Sequence, residues 1–362
     1  MQTKDFEFMS IALTLAIQGQ GKVSPNPMVG CVIVKEDQVV AQGYHEKYGG
    51  YHAERNALIH AGDEVKGATA YVTLEPCCHY GKTPPCTDIL IEKGIKRVVV
   101  GGLDPNPQVA GQGVDILRKH GIEVKVGVLE QECKELNHIF MHYITHKKPY
   151  IALKFGMSLD GKIATWSGES KWITSQKSRE HSYALRHQYS AILVGIETVI
   201  QDDPMLDAKK SEFKNPTRIV CDTHLRISEK SKIVQTSKTI PTIIATASDD
   251  SIKKKNLEKL GCEVLEVEKL NDHLNLEDLV LKIGNRGIDS ILVEGGGIIH
   301  DAFLRNQLVQ RIHAYIAPIV IGGQHAKSAV SGFGFEALKD APRFKFKNVQ
   351  QIGDDIYVEG EL

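Results

Sequence analysis

Apolar runs of strand length alternate with helix-like stretches through the first half of the chain. Two such runs, residues 28–34 and 38–44, flank the polar residues 35–37, which predicts a hairpin. The other predicted elements are helices at residues 5–18, 53–61, 87–93, 114–120 and 130–146 and strands at residues 68–74, 97–101 and 123–128. Strands separated by helices imply a sheet that is mostly parallel and covered on both faces.

A polar stretch that ends at Pro149 predicts the end of the last of these helices, because the residue before a proline disfavours helix. We therefore expect two domains, residues 1–147 and residues 148–362. In the second half we predict strands at residues 150–155, 191–195, 217–221, 242–246, 263–267 and 290–293, helices at residues 178–188 and 298–307, and two longer, less regular strands at residues 311–321 and 344–361. This is a second α/β domain, and a chain of 362 residues is long enough for two.

Composition excludes several classes of protein. The chain has 44 Lys and Arg against 45 Asp and Glu, and this net charge of −1 argues against a nucleic-acid binder. No apolar run approaches the roughly 18 residues of a membrane span. The apolar residues 8–17 follow Asp5 and Glu7, whereas a secretory signal begins with a positive flank. Three of the seven cysteines lie at positions 77, 78 and 86, which favours metal binding or catalysis in the cytosol over disulfides.

The clustered cysteines belong to a pattern that predicts a catalytic zinc site. His52-Ala-Glu54 opens a predicted helix, Cys77 follows a predicted strand, and Cys86 precedes the next helix. Catalytic zinc takes three protein ligands and leaves a fourth position open, so His52, Cys77 and Cys86 would be the ligands. Glu54 would take a proton from the attacking water and deliver it to the substrate nitrogen. This order of residues is the signature of zinc-dependent deaminases.

The spacing departs from that signature, because eight residues separate Cys77 from Cys86 where two are usual. The intervening loop contains two alternative ligands, Cys78 and His79. The same pattern has two other interpretations: a closed structural zinc site, or a cysteine-rich loop without metal. Glu54 favours catalysis, since a structural site has no use for a general base two residues from its histidine ligand.

The segment EPCCHYGKTPPC at residues 75–86, together with the His-Ala-Glu motif, closely resembles the deaminase half of the bifunctional deaminase/reductase family of riboflavin biosynthesis. Further segments that resemble this family are PNPMVG at 25–30, GYH at 43–45, DPNP at 104–107, KFGMSLDG at 154–161, SKWIT at 170–174, DDPML at 202–206 and VEGGG at 293–297. The resemblance covers nearly the whole chain. It implies an α/β protein with a cytidine-deaminase-like first domain, a mixed sheet with helices on both faces, and a dihydrofolate-reductase-like second domain.

The resemblance implies a diaminopyrimidinone substrate that carries a ribosylamino 5-phosphate. It assigns substrate contacts in the deaminase site to Asn26, His45, His79 and Lys82. An amide suits the pyrimidinone edge, and a lysine in a rigid loop suits phosphate. Asn26 between two prolines is equally typical of a turn, and His45 and Lys82 are open to interpretation as ordinary surface residues.

Glycines mark the expected cofactor site of the second half. An apolar strand runs into Glu294 and three glycines just before a predicted helix, whose N-terminus attracts phosphate. The resemblance assigns NADPH contacts to Gly156, Trp172, Thr198, Asp202, Gly296 and Gly297, and substrate contacts to Ser170, Arg186, Leu206 and Glu294. Arg186 suits a bidentate phosphate clamp, while Trp172 is equally compatible with a place in the core. Lys209 or Lys210 stands where the family has an arginine, so the second phosphate contact stays open.

These observations predict a cytoplasmic enzyme that uses Zn²⁺ to deaminate a phosphorylated pyrimidine and NADPH to reduce its ribosyl group to ribityl. We expect a homo-oligomer, dimer or tetramer, that binds neither nucleic acid nor membrane. One alternative is a nucleobase or tRNA deaminase with an unrelated C-terminal domain. Another is a zinc-stabilised module that senses a flavin precursor or nucleotide without turnover.

Overall fold

The computed structural model describes residues 2–106, 110–209 and 214–362. These residues form two compact units, Met1–Lys147 and Lys148–Leu362. None of the helices in the described residues has both the length and the apolar character needed to cross a membrane. The α/β class predicted from the alternating pattern is confirmed in both units.

Unit 1 is built on a mixed five-stranded sheet. Its strands are β1 (Gly30–Lys35), β2 (Gln38–Tyr44), β3 (Thr69–Leu74), β4 (Arg97–Gly102) and β5 (Glu123–Val126), in the spatial order β2-β1-β3-β4-β5. The predicted hairpin pairs β1 with β2, and β1 also pairs antiparallel with β3. The strands β3, β4 and β5 are parallel, so their carboxyl ends meet at one edge of the sheet.

Helices cover both faces of this sheet, because β1 is buried on both faces. Cys31 and Ile33 belong to one apolar cluster, and Val32 and Val34 to another on the opposite face. The helices are α1 (Gln2–Ala16), α2 (Ala53–Leu58), α3 (Cys86–Glu92), α4 (Gln112–Lys119), α5 (Glu130–Leu136) and α6 (His138–His146). The single helix predicted over residues 130–146 is wrong, because it breaks at Asn137. The Asn137 side-chain oxygen accepts from the Met28 N–H, and its amide nitrogen donates to the Met28 carbonyl.

A buried charge cluster ties α1 to the sheet. Asp5 is 2% exposed and accepts two hydrogen bonds from Arg97, at 2.8 and 2.9 Å, one from Lys125 at 2.8 Å and one from Tyr71 at 3.1 Å. Hydrogen bonds from Arg97 hold the pKa of Asp5 well below its usual range. Three different strands are thus joined to the first helix through one carboxylate.

Unit 2 contains a nine-stranded sheet and a small two-stranded one. The strands are β6 (Tyr150–Ser158), β7 (Ala191–Gly195), β8 (Thr217–Cys221), β9 (Thr242–Thr246), β10 (Glu263–Glu266), β11 (Lys269–Leu270), β12 (His273–Leu274), β13 (Ser290–Gly295), β14 (Arg311–Ala317), β15 (Lys345–Ile352) and β16 (Asp355–Glu361). The large sheet runs β10-β9-β8-β7-β13-β6-β14-β16-β15. Only its last two pairings are antiparallel, so β6, β7 and β13 end side by side at one edge.

Two apolar clusters fill the faces of the parallel part of the sheet, with Leu193 in one and Val194 in the other. The helices are α7 (Gln176–Gln188), α8 (Ile196–Asp202), α9 (Lys232–Gln235), α10 (Ser251–Leu260), α11 (Leu276–Gly284) and α12 (Gly297–Arg305). The single irregular strand predicted at residues 344–361 is wrong, because Gly353, with φ +64°, turns the chain between β15 and β16.

Candidate active sites in the two units

Three predicted metal ligands converge in unit 1 at the carboxyl edge of its sheet. His52 directly precedes α2, Cys77 follows β3, and Cys86 is the first residue of α3. The His52 Nδ1 atom lies 3.4 Å from the sulfur of each cysteine, and the three ligand atoms all lie within 4.8 Å of one another. The Cys86 N–H donates to the Cys77 carbonyl at 3.1 Å, which holds the two ends of the loop together.

This group fits zinc in its chemistry and its dimensions. Zinc–sulfur bonds of about 2.3 Å and zinc–nitrogen bonds of about 2.0 Å at tetrahedral angles separate nitrogen from sulfur by roughly 3.5 Å. A hydrogen bond from Cys86 and the neighbouring His52 lower the pKa of Cys77, which favours the thiolate that a metal requires. Within the described residues Cys78 and His79 fall outside this ligand group.

Glu54 lies in the first turn of α2, beside the ligands, and is 3% exposed. Burial, reinforced by the negative charge of Cys77, raises the pKa of its carboxyl to about 7. A carboxyl with this pKa accepts and releases a proton readily near neutral pH. The geometry therefore suits the general acid/base predicted from the sequence.

Asn26 and His45 lie together next to the ligand group. The Asn26 amide nitrogen is 3.2 Å from His45 Nε2, and the His45 ring meets the His52 ring edge-on at 5.4 Å between centroids. His45 is 2% exposed, so the alternative of an ordinary surface histidine is wrong. Its Nδ1 lies 2.9 Å from the Tyr51 carbonyl, and burial lowers its pKa. A neutral His45 donating to that carbonyl has Nε2 free to accept from Asn26.

His79 and Lys82 are exposed in the loop between the cysteines. The Lys82 ammonium lies 3.9 Å from the ring centroid of Tyr48, a cation–π contact that holds the loop against the turn before His52. Tyr48 was missed by the sequence analysis, since a single tyrosine among polar residues carries no distinguishing signal.

Glu75, the first residue of the EPCCHYGKTPPC segment, is a second residue whose role was not predicted from the sequence. Its buried carboxylate accepts hydrogen bonds from the N–H groups of Asp104, Gly111 and Val114. It therefore joins the start of the cysteine loop to the segment after β4. Pro107, the last residue of the resembling DPNP segment, lies outside the described residues.

In unit 2 a buried charge cluster stands at the end of β13. Arg186 donates to both carboxylate oxygens of Glu294 at 2.8 Å, and Lys154 Nζ lies 3.7 Å from the same carboxylate. The two cations keep the pKa of Glu294 near 2 despite its burial, which alone would raise it. From the sequence we predict that the fork of Arg186 holds phosphate, but in the structure that fork is engaged by Glu294.

Lys154, the first residue of the family-like segment at residues 154–161, is a member of this cluster that was not predicted as a site residue. The parallel pairing of β13 with β6 brings Lys154 alongside Glu294. Burial lowers the pKa of Lys154, while Glu294 opposes that effect. The sequence feature that could have identified Lys154 is its position inside a predicted apolar strand, because buried lysines are rare unless they are paired.

The glycines after Glu294 make a close-packed turn. Gly296 has φ +77°, and a Cβ on Gly295 would lie 2.9 Å from the hydroxyl of Thr198. Gly297 begins α12, and a Cβ there would lie 2.5 Å from the Ser328 carbonyl. The predicted cofactor contacts Thr198, Gly296 and Gly297 are thus brought together, and only glycine fits the turn.

The remaining predicted cofactor contacts lie on neighbouring segments. Gly156 is in β6, where a Cβ would lie 2.9 Å from the Thr174 side chain. Trp172 is 66% exposed, so the alternative of a core tryptophan is wrong, and Arg179 stacks on its ring at 4.3 Å. Exposed Asp202, at the end of α8, pairs with Lys171 at 3.2 Å and joins its helix to the segment that carries Ser170 and Trp172.

Leu206 differs from the other predicted substrate contacts. Its side chain is 4% exposed and packs in the apolar cluster with Val194 and Val220, so only its main chain is available to a ligand. Lys209 is exposed and pairs with Asp207 at 3.0 Å. Lys210, the other candidate for the second phosphate contact, lies outside the described residues.

Comparison with known proteins agrees with this division into two sites. Residues 2–102 match the cytidine and deoxycytidylate deaminase zinc-binding region, and residues 149–358 match the RibD C-terminal domain. The chain is 50% identical to the riboflavin biosynthesis protein RibD of Actinobacillus pleuropneumoniae, over 98% of this chain and 94% of that protein.

Two solved structures are similar over essentially the whole chain. One is RibD of Acinetobacter baumannii, with 37% identity and a TM-score of 0.89, covering 100% of this chain and 99% of that one. The other is the diaminohydroxyphosphoribosylaminopyrimidine deaminase/5-amino-6-(5-phosphoribosylamino)uracil reductase of Thermotoga maritima, with 39% identity, a TM-score of 0.89 and 99% coverage of each chain.

Proposed function

This chain belongs to the riboflavin biosynthesis protein RibD family, and from that membership we propose how its two units divide a two-step reaction. The chain is a bifunctional riboflavin biosynthesis enzyme, a deaminase and a reductase, and its cofactors are zinc and NADPH. Unit 1 removes an amino group from the diaminopyrimidinone ring of the ribosylamino 5-phosphate. Unit 2 then reduces the ribosyl group of the resulting uracil to ribityl.

The convergence of His52, Cys77 and Cys86 beside the buried Glu54 carries the proposal for unit 1. Zinc, when bound to these three residues, activates water as a nucleophile. Glu54 takes a proton from that water as it attacks the ring carbon, and returns it to the departing amino nitrogen, which leaves as ammonia. Asn26 hydrogen-bonds the pyrimidinone edge, and Lys82 and His79 receive the phosphorylated side.

For unit 2 the buried cluster of Lys154, Arg186 and Glu294 beside the glycine turn supports the reductase proposal. NADPH, when bound, would supply the hydride for the carbonyl carbon of the ring-opened ribose. Lys154 and Arg186 stabilise the negative charge on the carbonyl oxygen until a proton from solvent converts it to the hydroxyl, and Glu294 keeps both cations in place. Gly156, Trp172, Thr198, Asp202, Gly296 and Gly297 hold the cofactor, and Ser170, Arg186, Leu206 and Glu294 hold the substrate.

The alternatives considered for the sequence fit less well. A nucleobase or tRNA deaminase with an unrelated C-terminal domain is inconsistent with the match of residues 149–358. A sensor without turnover would not need the buried carboxyl of Glu54 beside the candidate metal ligands.

We also propose that the chain forms a homo-oligomer through unit 2. The strand β15 is an edge strand, and its apolar residues Phe346 and Val349 are 74% and 57% exposed. Such an edge is prone to pair with another chain, and a second copy would cover it. Light scattering should show a dimer or tetramer, and a strict monomer would contradict the proposal.

We place the enzyme in the cytoplasm, because its seven free cysteines suit a reducing compartment.

One assay tests the central proposal. With the phosphorylated diaminopyrimidinone as substrate, we expect ammonia release without NADPH, and NADPH oxidation only after deamination. A fragment of residues 148–362 should oxidise NADPH with pre-deaminated substrate but release no ammonia. Ammonia release by that fragment would contradict the assignment of the two units.

A further inference from the structure

The Met205–Asp207 segment combines an unusual backbone with a buried side chain. Leu206 has φ +52°, in the left-handed region that leucine rarely adopts. Its side chain is held in the apolar core of unit 2. A leucine stays in this conformation only where its surroundings determine it strongly.

Two buried guanidinium groups hold the carbonyls on either side of Leu206. Arg218 Nη1 donates to the Met205 carbonyl at 3.1 Å, and Arg186 Nη1 donates to the Asp207 carbonyl at 2.7 Å. The two arginines come from different elements, β8 and α7. Arg218 therefore fixes the orientation of the Met205–Leu206 peptide group, and Arg186 fixes that of the Asp207–Ala208 peptide group.

Arg218 is the less expected of the two, because it is 0% exposed and has no carboxylate at salt-bridge distance in the part of the chain that the structure describes. Its other hydrogen bonds go to neutral oxygens of Thr236, Thr242, Ile233 and Ile240, at 2.6–3.0 Å. Burial lowers its pKa to about 10, so it remains charged at neutral pH. The charge is thus buried at a considerable desolvation cost.

The buried charge of Arg218 sets the direction of the Leu206 N–H through the Met205–Leu206 peptide group. A trans peptide is planar, so the Met205 carbonyl and the Leu206 N–H point in opposite directions. The hydrogen bond from Arg218 therefore directs the Leu206 N–H away from the buried arginine. No acceptor for this N–H is found among the described residues. A main-chain N–H is a strong donor that is normally paired, so a ligand atom that reaches this segment can accept from it.

We propose that Arg218 is a positioning residue for the reductase site, which orients the Leu206 N–H to donate to a phosphate oxygen of the substrate. The proposal rests on the proposed function. A phosphate is the favoured acceptor because two cations adjoin the same segment: Arg186 donates to the Asp207 carbonyl, and exposed Lys209 follows, paired with Asp207 at 3.0 Å. A hydrogen bond to a charged acceptor is also stronger than one to a neutral group.

Arg218→Lys tests the proposal, because lysine keeps the charge but lacks the planar fork that reaches five acceptors. We expect the dissociation constant of 5-amino-6-(5-phosphoribosylamino)uracil to rise about ten- to a hundredfold, the range for a hydrogen bond to a charged group. The dissociation constant of NADPH and the deaminase rate should not change. Binding of the dephosphorylated compound should be affected much less than binding of the phosphate.

Val220→Ala is the matched control, since Val220 is fully buried in β8, in the same apolar cluster as Leu206. It should lower the thermal stability of unit 2 without changing substrate affinity. Equal losses of substrate affinity in both variants, or an equal loss for the dephosphorylated compound in Arg218→Lys, would overturn the proposal. If the wild-type enzyme oxidised no NADPH with this substrate, the proposed function itself would fail.

A second measurement needs no variant that risks misfolding. Met205–Leu206 is the only Met–Leu pair in the sequence, so labelling with ¹³C-carbonyl methionine and ¹⁵N-leucine yields one carbonyl-edited amide signal. Addition of the phosphorylated substrate should move this signal downfield and slow its hydrogen exchange, whereas NADPH alone should not slow exchange. An amide that exchanges at the same rate with and without the substrate would refute the assignment.

Discussion

Replacing Glu54 with glutamine separates metal binding from proton transfer in the deaminase unit. Glutamine has nearly the same size and hydrogen-bonding reach, but it cannot carry a proton between water and the leaving nitrogen. We expect zinc content to be unchanged, because the ligand group consists of His52, Cys77 and Cys86. The deaminase kcat should fall by about 10²–10⁴, the usual contribution of general acid–base catalysis.

The magnitude follows from the surroundings of the carboxyl. Burial and the charge of Cys77 raise the pKa of Glu54 from 4.5 to about 7. Near neutral pH the carboxyl can therefore both take up a proton from water and release it to the leaving nitrogen, which glutamine cannot do. A 10²–10⁴-fold fall in rate corresponds to roughly 3–5 kcal/mol of lost transition-state stabilisation.

Ammonia release under saturating substrate measures the effect, with zinc content determined on the same samples. Glu54→Asp is the matched control, because it keeps a carboxyl but withdraws it by one methylene, and it should retain more activity than Glu54→Gln. NADPH oxidation with pre-deaminated substrate should be unchanged in both variants. Equal deaminase rates for the wild type and Glu54→Gln would refute the role of Glu54.

Three further predictions concern the metal, the cofactor turn and the stability of unit 1. Cys77→Ser should lose zinc while Cys78→Ser keeps it, and metal analysis showing the reverse would contradict the ligand assignment. Gly296→Val should weaken NADPH binding, whereas Gly287→Val, also at φ +77° but with open space around it, should not; calorimetric titration decides. Asp5→Asn should destabilise unit 1 by about 3–5 kcal/mol, the cost of breaking a buried ion pair, as denaturant unfolding would reveal. The pKa of Asp5 is lowered in the folded state, so its contribution is fully present above the unfolded-state pKa of about 4 and is lost as the pH falls from there through the folded-state pKa. Wild-type and Asp5→Asn stabilities should therefore converge only in strong acid.

Much of the deaminase site was predictable from the sequence because its signals are local. The three residues proposed as metal ligands lie at the ends of short elements, and their residue types restrict the chemistry to very few options. The alternation of apolar runs likewise predicts the α/β class, since a parallel strand requires a crossover helix. Where prediction failed, a single residue had overridden the pattern: Asn137 splits one helix, and Gly353 divides one long strand into a hairpin.

The reductase unit shows what only the tertiary structure decided. Arg186 and Glu294 are 108 residues apart, and they meet because β13 lies between β7 and β6 in the sheet. The same arrangement occupies the fork of Arg186 with a carboxylate, where the sequence suggested phosphate. The family resemblance predicts that Leu206 contacts the substrate, yet its side chain lies in the core. The buried Arg218 instead fixes the peptide group before Leu206 through a hydrogen bond to the Met205 carbonyl. No local pattern records which strands become neighbours, because strand order is selected by the packing of the whole domain.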